Sequence, residues 1–216
     1  MPTPVQQRRL EEKEARRQQI LDAAEAVLGR KGFDAVVLAD VAKQARLSRA
    51  LLYTYFHDKV DLYHAVGVRA SNELRWRFEK AAAAHTRGMD RVDAIGLAYI
   101  RFAEERPVLF EALARVEARE IDPEAEERPN ALAALRASHG TLATLAEAVA
   151  QGVADGSIRA DIGDPAQTAI ALWGVVHGIV QVTAHKEAVL GALGTDRQSV
   201  HDHVFSLIDR AMAPES

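Results

Sequence analysis

Hydrogen-bonding side chains crowd one short stretch of the chain, from Ser48 to Lys59, where Ser48, Arg49, Tyr53, Thr54, Tyr55 and Lys59 stand with Ala50 among them. Their chemistry is that of polar contact: hydroxyls, a guanidinium and an ammonium that donate or accept hydrogen bonds. Elsewhere there is no glycine-rich phosphate loop, no G-x-S-x-G elbow and no H-E-x-x-H helix. The Asp and His residues have no nucleophile partner that spacing identifies, so no catalytic residue is assigned and an enzyme is not expected. His201 and His203 are two apart and face different sides of a helix, which argues against chelation by that pair. The chain has no cysteine, so it has neither a disulfide framework nor a thiolate metal site. No metal and no cofactor is expected, and the absence of thiols suits a reducing cytoplasm.

The polar stretch needs a scaffold, and its flanks supply one. Leu38 to Tyr63 reads LADVAKQARLSRALLYTYFHDKVDLY. Val41, Ala42, Ala45, Leu47 and Leu52 have the spacing that lets two short helices cross tightly. Ala42 is small where the second helix must approach. Ser48 is a good N-cap for a helix reaching about Phe56. That helix presents Arg49, Ala50, Leu51, Thr54 and Tyr55 outward in part. Its width fits the DNA major groove, with the N-terminal residues nearest the base edges.

From Gly32 to Val66 the chain resembles the tetracycline-repressor (TetR) family. The matching features are Gly32-Phe33, Ala45, Leu47-Ser48, Leu52-Tyr53-Thr54-Tyr55-Phe56 and Asp58-Lys59. The resemblance implies base-edge or nearby contacts for Arg49, Thr54 and Tyr55, and phosphate contacts for Ser48, Tyr53 and Lys59. Lys59 also sits at a helix N-terminus, where backbone N–H groups favour anions. Tyr53 reads equally as a core aromatic, and Phe56 reads better as one. Two positions depart from the family pattern. Arg46 stands where the turn normally carries glycine, and Val36-Val37 stand where a Thr or Ser cap is usual.

Around this motif the pattern is helical almost throughout, so the fold class is all-α: a three-helix helix-turn-helix head over 1–60 and a larger helical body over 61–216. Residues 1–7, with Pro2 and Pro4, read as a loose tail without a signal-peptide core, and no export is expected. A first helix ends near Lys31-Gly32. A long helix follows Asp58 to roughly His85, and Thr86-Arg87-Gly88 breaks it. Arg119 to Asn130, acidic and with two prolines, reads as an exposed loop. The last two helices span about 166–189 and 196–212. Net charge changes sign along the chain, from +3 over residues 1–60 to −7 over 61–216. A weakly basic head and an acidic body suit phosphate contact by the head alone. Between Arg8 and Arg17, five cations alternate with Glu11, Glu12 and Glu14, which favours a solvated face over a groove-binding arm.

Pro165 to His185 carries no Asp, Glu, Lys or Arg and is apolar nearly all round from Ala169 to Val182. Its polar punctuation argues against a membrane span. It reads as a helix buried on two sides, by its own body and by a second copy, with Val200, Val204, Leu207, Ile208 and Ala211 as the matching stripe. The resemblance implies the same homodimer, a double-stranded DNA operator and an unknown small-molecule effector. It places a ligand pocket inside the body, for which Phe78, Tyr99, Phe102, Phe110, His139, Trp173 and His177 are the candidate lining. The expected function is a cytoplasmic repressor released by its effector. The alternative is a DNA-bound adaptor that regulates a protein partner through the acidic loop.

Overall fold

The computed structural model describes residues 3–117 and 128–214, is helical over most of them and contains no strand among them. The order is α1 (Pro4–Ala35), α2 (Leu38–Ala45), α3 (Arg49–Tyr53), α4 (Lys59–Ala82), α5 (Gly88–Glu105), α6 (Pro107–Glu117), α7 (Pro129–Ala154), α8 (Pro165–His185), α9 (Glu187–Ala192) and α10 (Arg197–Met212). Most of the expected loop from Arg119 onward lies outside the described residues. Pro129 already opens α7.

The loose tail expected over residues 1–7 is overturned from Thr3 onward. Thr3 caps α1: its side chain accepts from the Gln6 N–H, while the Gln6 side chain accepts from the Thr3 N–H at 2.8 Å. Pro4 falls in the first helical position, where it needs no N–H partner and its fixed φ suits the helix. The C-terminal break falls where Lys31-Gly32 predicts it, at Gly32 with φ 73°. Further along, α8 and α9 are separate where one helix to about 189 is expected, because Lys186 leaves helical geometry at φ −120°, ψ 30°.

The chain divides into two compact units. The first holds residues 1–70 and 107–136. Its core gathers Ile20, Ala24, Val27 and Leu28 of α1 with Val41 and Ala42 of α2, Leu52 of α3, and Leu62 and Val66 of α4. Helix α6 seats two valines on glycines: a Cβ on Gly67 would lie 2.7 Å from Val116, and one on Gly29 would lie 3.2 Å from Val108. Arg115 of α6 holds the Asp34 carboxylate with both terminal nitrogens, at 2.9 and 3.2 Å.

The second unit holds residues 71–106 and 137–216. Leu74, Val92, Ile95, Phe102, Val149 and Ile158 form its centre. Helix α5 begins where α7 ends: Asp155 and Ser157 accept from the N–H groups of Gly88 and Met89, at 2.8 and 3.1 Å. Only glycine fits at that crossing, since a Cβ on Gly88 would meet the Gly152 nitrogen at 2.0 Å. Helix α8 buries Ala169, Val176, Val180 and Thr183, and leaves Ile170, Val175 and Val182 on its open side.

In the second unit, Asp93 of α5 is part-buried beside Asp209 of α10. Burial, then the Asp209 charge, then Asp90, push the Asp93 carboxyl up from 3.8 to about 7. The folded state therefore holds a proton that the unfolded state gives up above pH 4 or so. This group's contribution falls as pH rises through about 7. Asp93→Asn keeps the shape of the side chain without the titration. Thermal melts should show the variant gaining on the wild type between pH 5 and 8; parallel melting curves across that range contradict the retained proton.

Candidate nucleic-acid interface

The turn between α2 and α3 is built by backbone hydrogen bonds. The Leu47 N–H reaches back to the Ala42 carbonyl at 2.9 Å and the Arg46 N–H to the Lys43 carbonyl at 3.2 Å. That pair is the Schellman pattern of a helix ending in a left-handed residue. The left-handed residue is Arg46, at φ 57°, ψ 43°, and no other non-glycine residue has positive φ among those described. Arginine there costs roughly 1–2 kcal/mol. The absent Thr or Ser cap of α2 is half replaced: Val37 has no side-chain acceptor, but the Asp40 carboxylate accepts from the Val37 N–H at 3.3 Å. Ser48 then starts α3 by accepting from the Leu51 N–H at 3.1 Å, and Leu52 anchors the helix with no exposed surface.

Helix α3 is shorter than its pattern suggests. It ends at Tyr53, and Thr54 and Tyr55 form a turn. Ser48, Arg49, Ala50, Tyr53 and Thr54 are exposed, and Tyr55 is half-buried. Tyr53 is 56% exposed, which decides its two readings against a core role, while Phe56 is buried. The Thr54 hydroxyl donates to the Leu51 carbonyl at 2.7 Å. Arg49, Tyr53 and Lys59 are brought together on the rim of an open cleft of about 630 Å³. His57 lines the same cleft and is exposed. Sequence reasoning does not single it out, although its place between Phe56 and Asp58 puts it at the mouth of α4. Lys59 is turned partly inward: its Nζ donates to the Asp34 carbonyl at 3.2 Å and lies 5.5 Å from the Tyr63 ring centre. Asp58 caps α4 through the Asp61 N–H at 2.7 Å.

Two family profiles match this chain. One, described as bacterial regulatory proteins of the tetR family, covers residues 20–66. The other, the tetracyclin repressor-like C-terminal domain, covers residues 92–207, more than half the chain. The chain belongs to the TetR family. It is a transcriptional regulator with an N-terminal helix-turn-helix. It is 30% identical over 100 residues to the HTH-type transcriptional repressor KstR of Mycobacterium tuberculosis, a match covering 46% of each chain. The chain thus spans about half the length of that curated relative. A protein of unknown function from Rhodococcus sp. RHA1 shares the fold at TM-score 0.72 and 22% identity, over 92% of this chain and 95% of that one. The regulator FadR from Bacillus subtilis, solved with stearoyl-CoA, does so at TM-score 0.69 and 18% identity, over 90% and 98%.

Several of the expected pocket-lining residues lie in the second unit. The Tyr99 hydroxyl lies 2.6 Å from His177 Nδ1, the Trp173 ring lies tilted with its centre 5.6 Å from that of His177, and the Phe78 ring centre lies 6.3 Å from that of Tyr99. Burial holds His177 below its ordinary pKa, so the ring is neutral near pH 7. Phe102 is wholly buried beneath the Arg77 guanidinium at 5.4 Å. Phe110 belongs to the first unit. His139 is exposed on a surface groove shared with Leu142, Asp164 and Ile170. His201 turns inward to Thr183 at 3.1 Å while His203 is exposed, as their spacing predicts.

Proposed function

We propose that this regulator is a cytoplasmic homodimeric repressor that reads a palindromic operator with α3 and is released by a lipophilic small molecule. The observation that carries the DNA half is α3 itself. It is capped, anchored by Leu52, and bare on the side that bears Arg49, Ala50 and Tyr53. An α-helix with such a face fits the major groove. Arg49 is assigned to base edges with Thr54 and Tyr55; Ser48, Tyr53 and Lys59 are assigned to phosphate. Residues 1–60 serve as the reading head and 61–216 as the sensing and dimerising body. The dimer reading is supported by α8, whose open side carries Ile170, Val175 and Val182 with Leu207 exposed on α10. A Cβ on Gly174 or Gly178 would meet nothing, which leaves room for a second copy to approach.

The effector half is supported by the Phe78, Tyr99, Trp173 and His177 cluster, an apolar wall with one neutral polar pair. Such a wall suits the apolar chain or ring system of a ligand, with the polar pair meeting one group on it. Helix α4 gives residues 59–70 to the first unit and 71–82 to the second, so it is the element assigned to carry the shift. Full switching from 1:99 to 99:1 takes about 5.5 kcal/mol of differential affinity.

Selection of bound duplexes from random DNA tests the head. Arg49→Ala should relax the sequence preference, and Lys59→Ala should weaken all DNA alike without changing it; finding the two effects exchanged contradicts the assignment. For the effector, stearoyl-CoA is the first probe, taken from the FadR neighbour. Operator affinity should fall at least about tenfold, or roughly 1.4 kcal/mol, on saturation. Bound acyl-CoA that leaves operator affinity unchanged contradicts the switch.

A further inference from the structure

Helix α1 extends well past the unit it anchors. Every described residue from Thr3 to Arg16 is exposed, and the buried stripe begins only at Ile20. Nothing packs on these turns, so local pairs hold them: the Thr3–Gln6 box, Arg8 on Glu12 at 3.0 Å, Gln7 on Glu11 at 3.2 Å, and Gln18 on Glu14 at 2.6 Å. The charges are sorted by face. Arg9, Lys13 and Arg16 fall at intervals of four and three, one row of a helix. Glu11, Glu14 and Gln18 form another row about half a turn away. Each acid has a partner on its own side. Arg9 and Lys13 have none among the described residues, and Arg16 meets only the neutral Gln19. The intermixing that suggests a neutral solvated face in the sequence is thus largely undone by the helix; Glu12, three residues from Arg9 and four from Arg16, still flanks the row, with its carboxylate turned to Arg8.

The root of this extension lies beside both ends of α3. Gln19 donates to the Ala45 carbonyl at the end of α2, 2.9 Å away, where the chain turns into α3. The Arg17 guanidinium lies 5.7 Å from the centre of the Phe56 ring, just past α3, and is also held by Asn130 at 2.7 Å. From Arg17 the row runs outward by about 12 Å to Arg9, at the rise of an α-helix.

We propose that Arg9, Lys13 and Arg16 form a second DNA contact, a helical rail that lies on duplex phosphates flanking the site read by α3. This rests on the reading of α3 as the groove-entering helix. The rail carries no base-reading group of its own, so it adds affinity and salt dependence without sequence preference.

The test is equilibrium binding of the full chain to a random-sequence duplex and to the duplex it selects, across about 50 to 200 mM salt. Removing one phosphate-bound cation should flatten the log–log salt slope by about 0.9. Arg9→Ala with Lys13→Ala should therefore flatten it by about two per protomer, on both duplexes, while the selected sequence stays the same. Circular dichroism checks that the helix persists in the variant. Adding Glu11→Lys alone to that variant restores its net charge on the opposite face and should not restore the slope. An unchanged slope in the folded double variant overturns the rail, as does full rescue from the wrong face. A wild type that selects no sequence would sink the α3 reading instead, and the random duplex would still decide the rail. Binding to phosphatidylglycerol vesicles that the double variant loses, with DNA binding intact, would assign the row to a membrane and overturn the proposal.

Discussion

Two backbone hydrogen bonds, from Leu47 to Ala42 and from Arg46 to Lys43, set the direction in which α3 leaves α2. They require a left-handed residue, and the chain supplies arginine rather than glycine. The strain stays because the turn is fastened on both sides, by the buried Ala42 and Ala45 before it and by the Ser48 cap and buried Leu52 after it. A five-residue helix is too short to be stable alone. Its angle and its exposed face are properties of this turn and of the packing under Leu52.

The rest of the first unit holds that arrangement stiffly. Val116 sits on Gly67 and Val108 on Gly29, so α6 lies against α4 and α1 with no room for a methyl group at the tighter contact. Arg115 ties α6 to Asp34, close to the Gly32 kink near the end of α1, and its guanidinium lies 5.0 Å from the centre of the Phe33 ring. Lys59 and Tyr63 both donate to the Phe33 carbonyl at the same corner. A displacement of α6 has no compliant layer to absorb it before it reaches the helices that carry α2 and α3. That stiffness is what a reading head needs if its helix is to keep register on DNA.

The helix-turn-helix is legible in the sequence because its signals are local. Ser48 and Asp58 are caps, Gly32 is a stop, and Ala42 and Leu52 mark a tight crossing. The start of α1 escapes the same reasoning although its own signal is local too: Thr3-Pro4-Val5-Gln6 is a capping-box pattern with proline in the first turn. Pro2 and Pro4 together suggest a tail instead. The pocket is less legible for a different reason. An apolar stripe tells that a side chain is buried, not which stripe it meets. Phe102 is buried as expected, yet it lies beneath Arg77. Tyr99, His177, Trp173 and Phe78 come together within the second unit. Helix α8, apolar almost all round in sequence, shows one buried side and one open side, which periodicity cannot separate when both are apolar.

The claim on which the functional account turns is that α3 reads the major groove. Methylation interference on the selected duplex measures this directly, since guanine N7 lies in the major groove and adenine N3 in the minor. The account predicts interference by N7 methylation in two patches whose centres lie about one helical turn, or a multiple of it, apart. Interference confined to adenine N3, or none at any guanine N7 within a selected site that contains guanine, would contradict it.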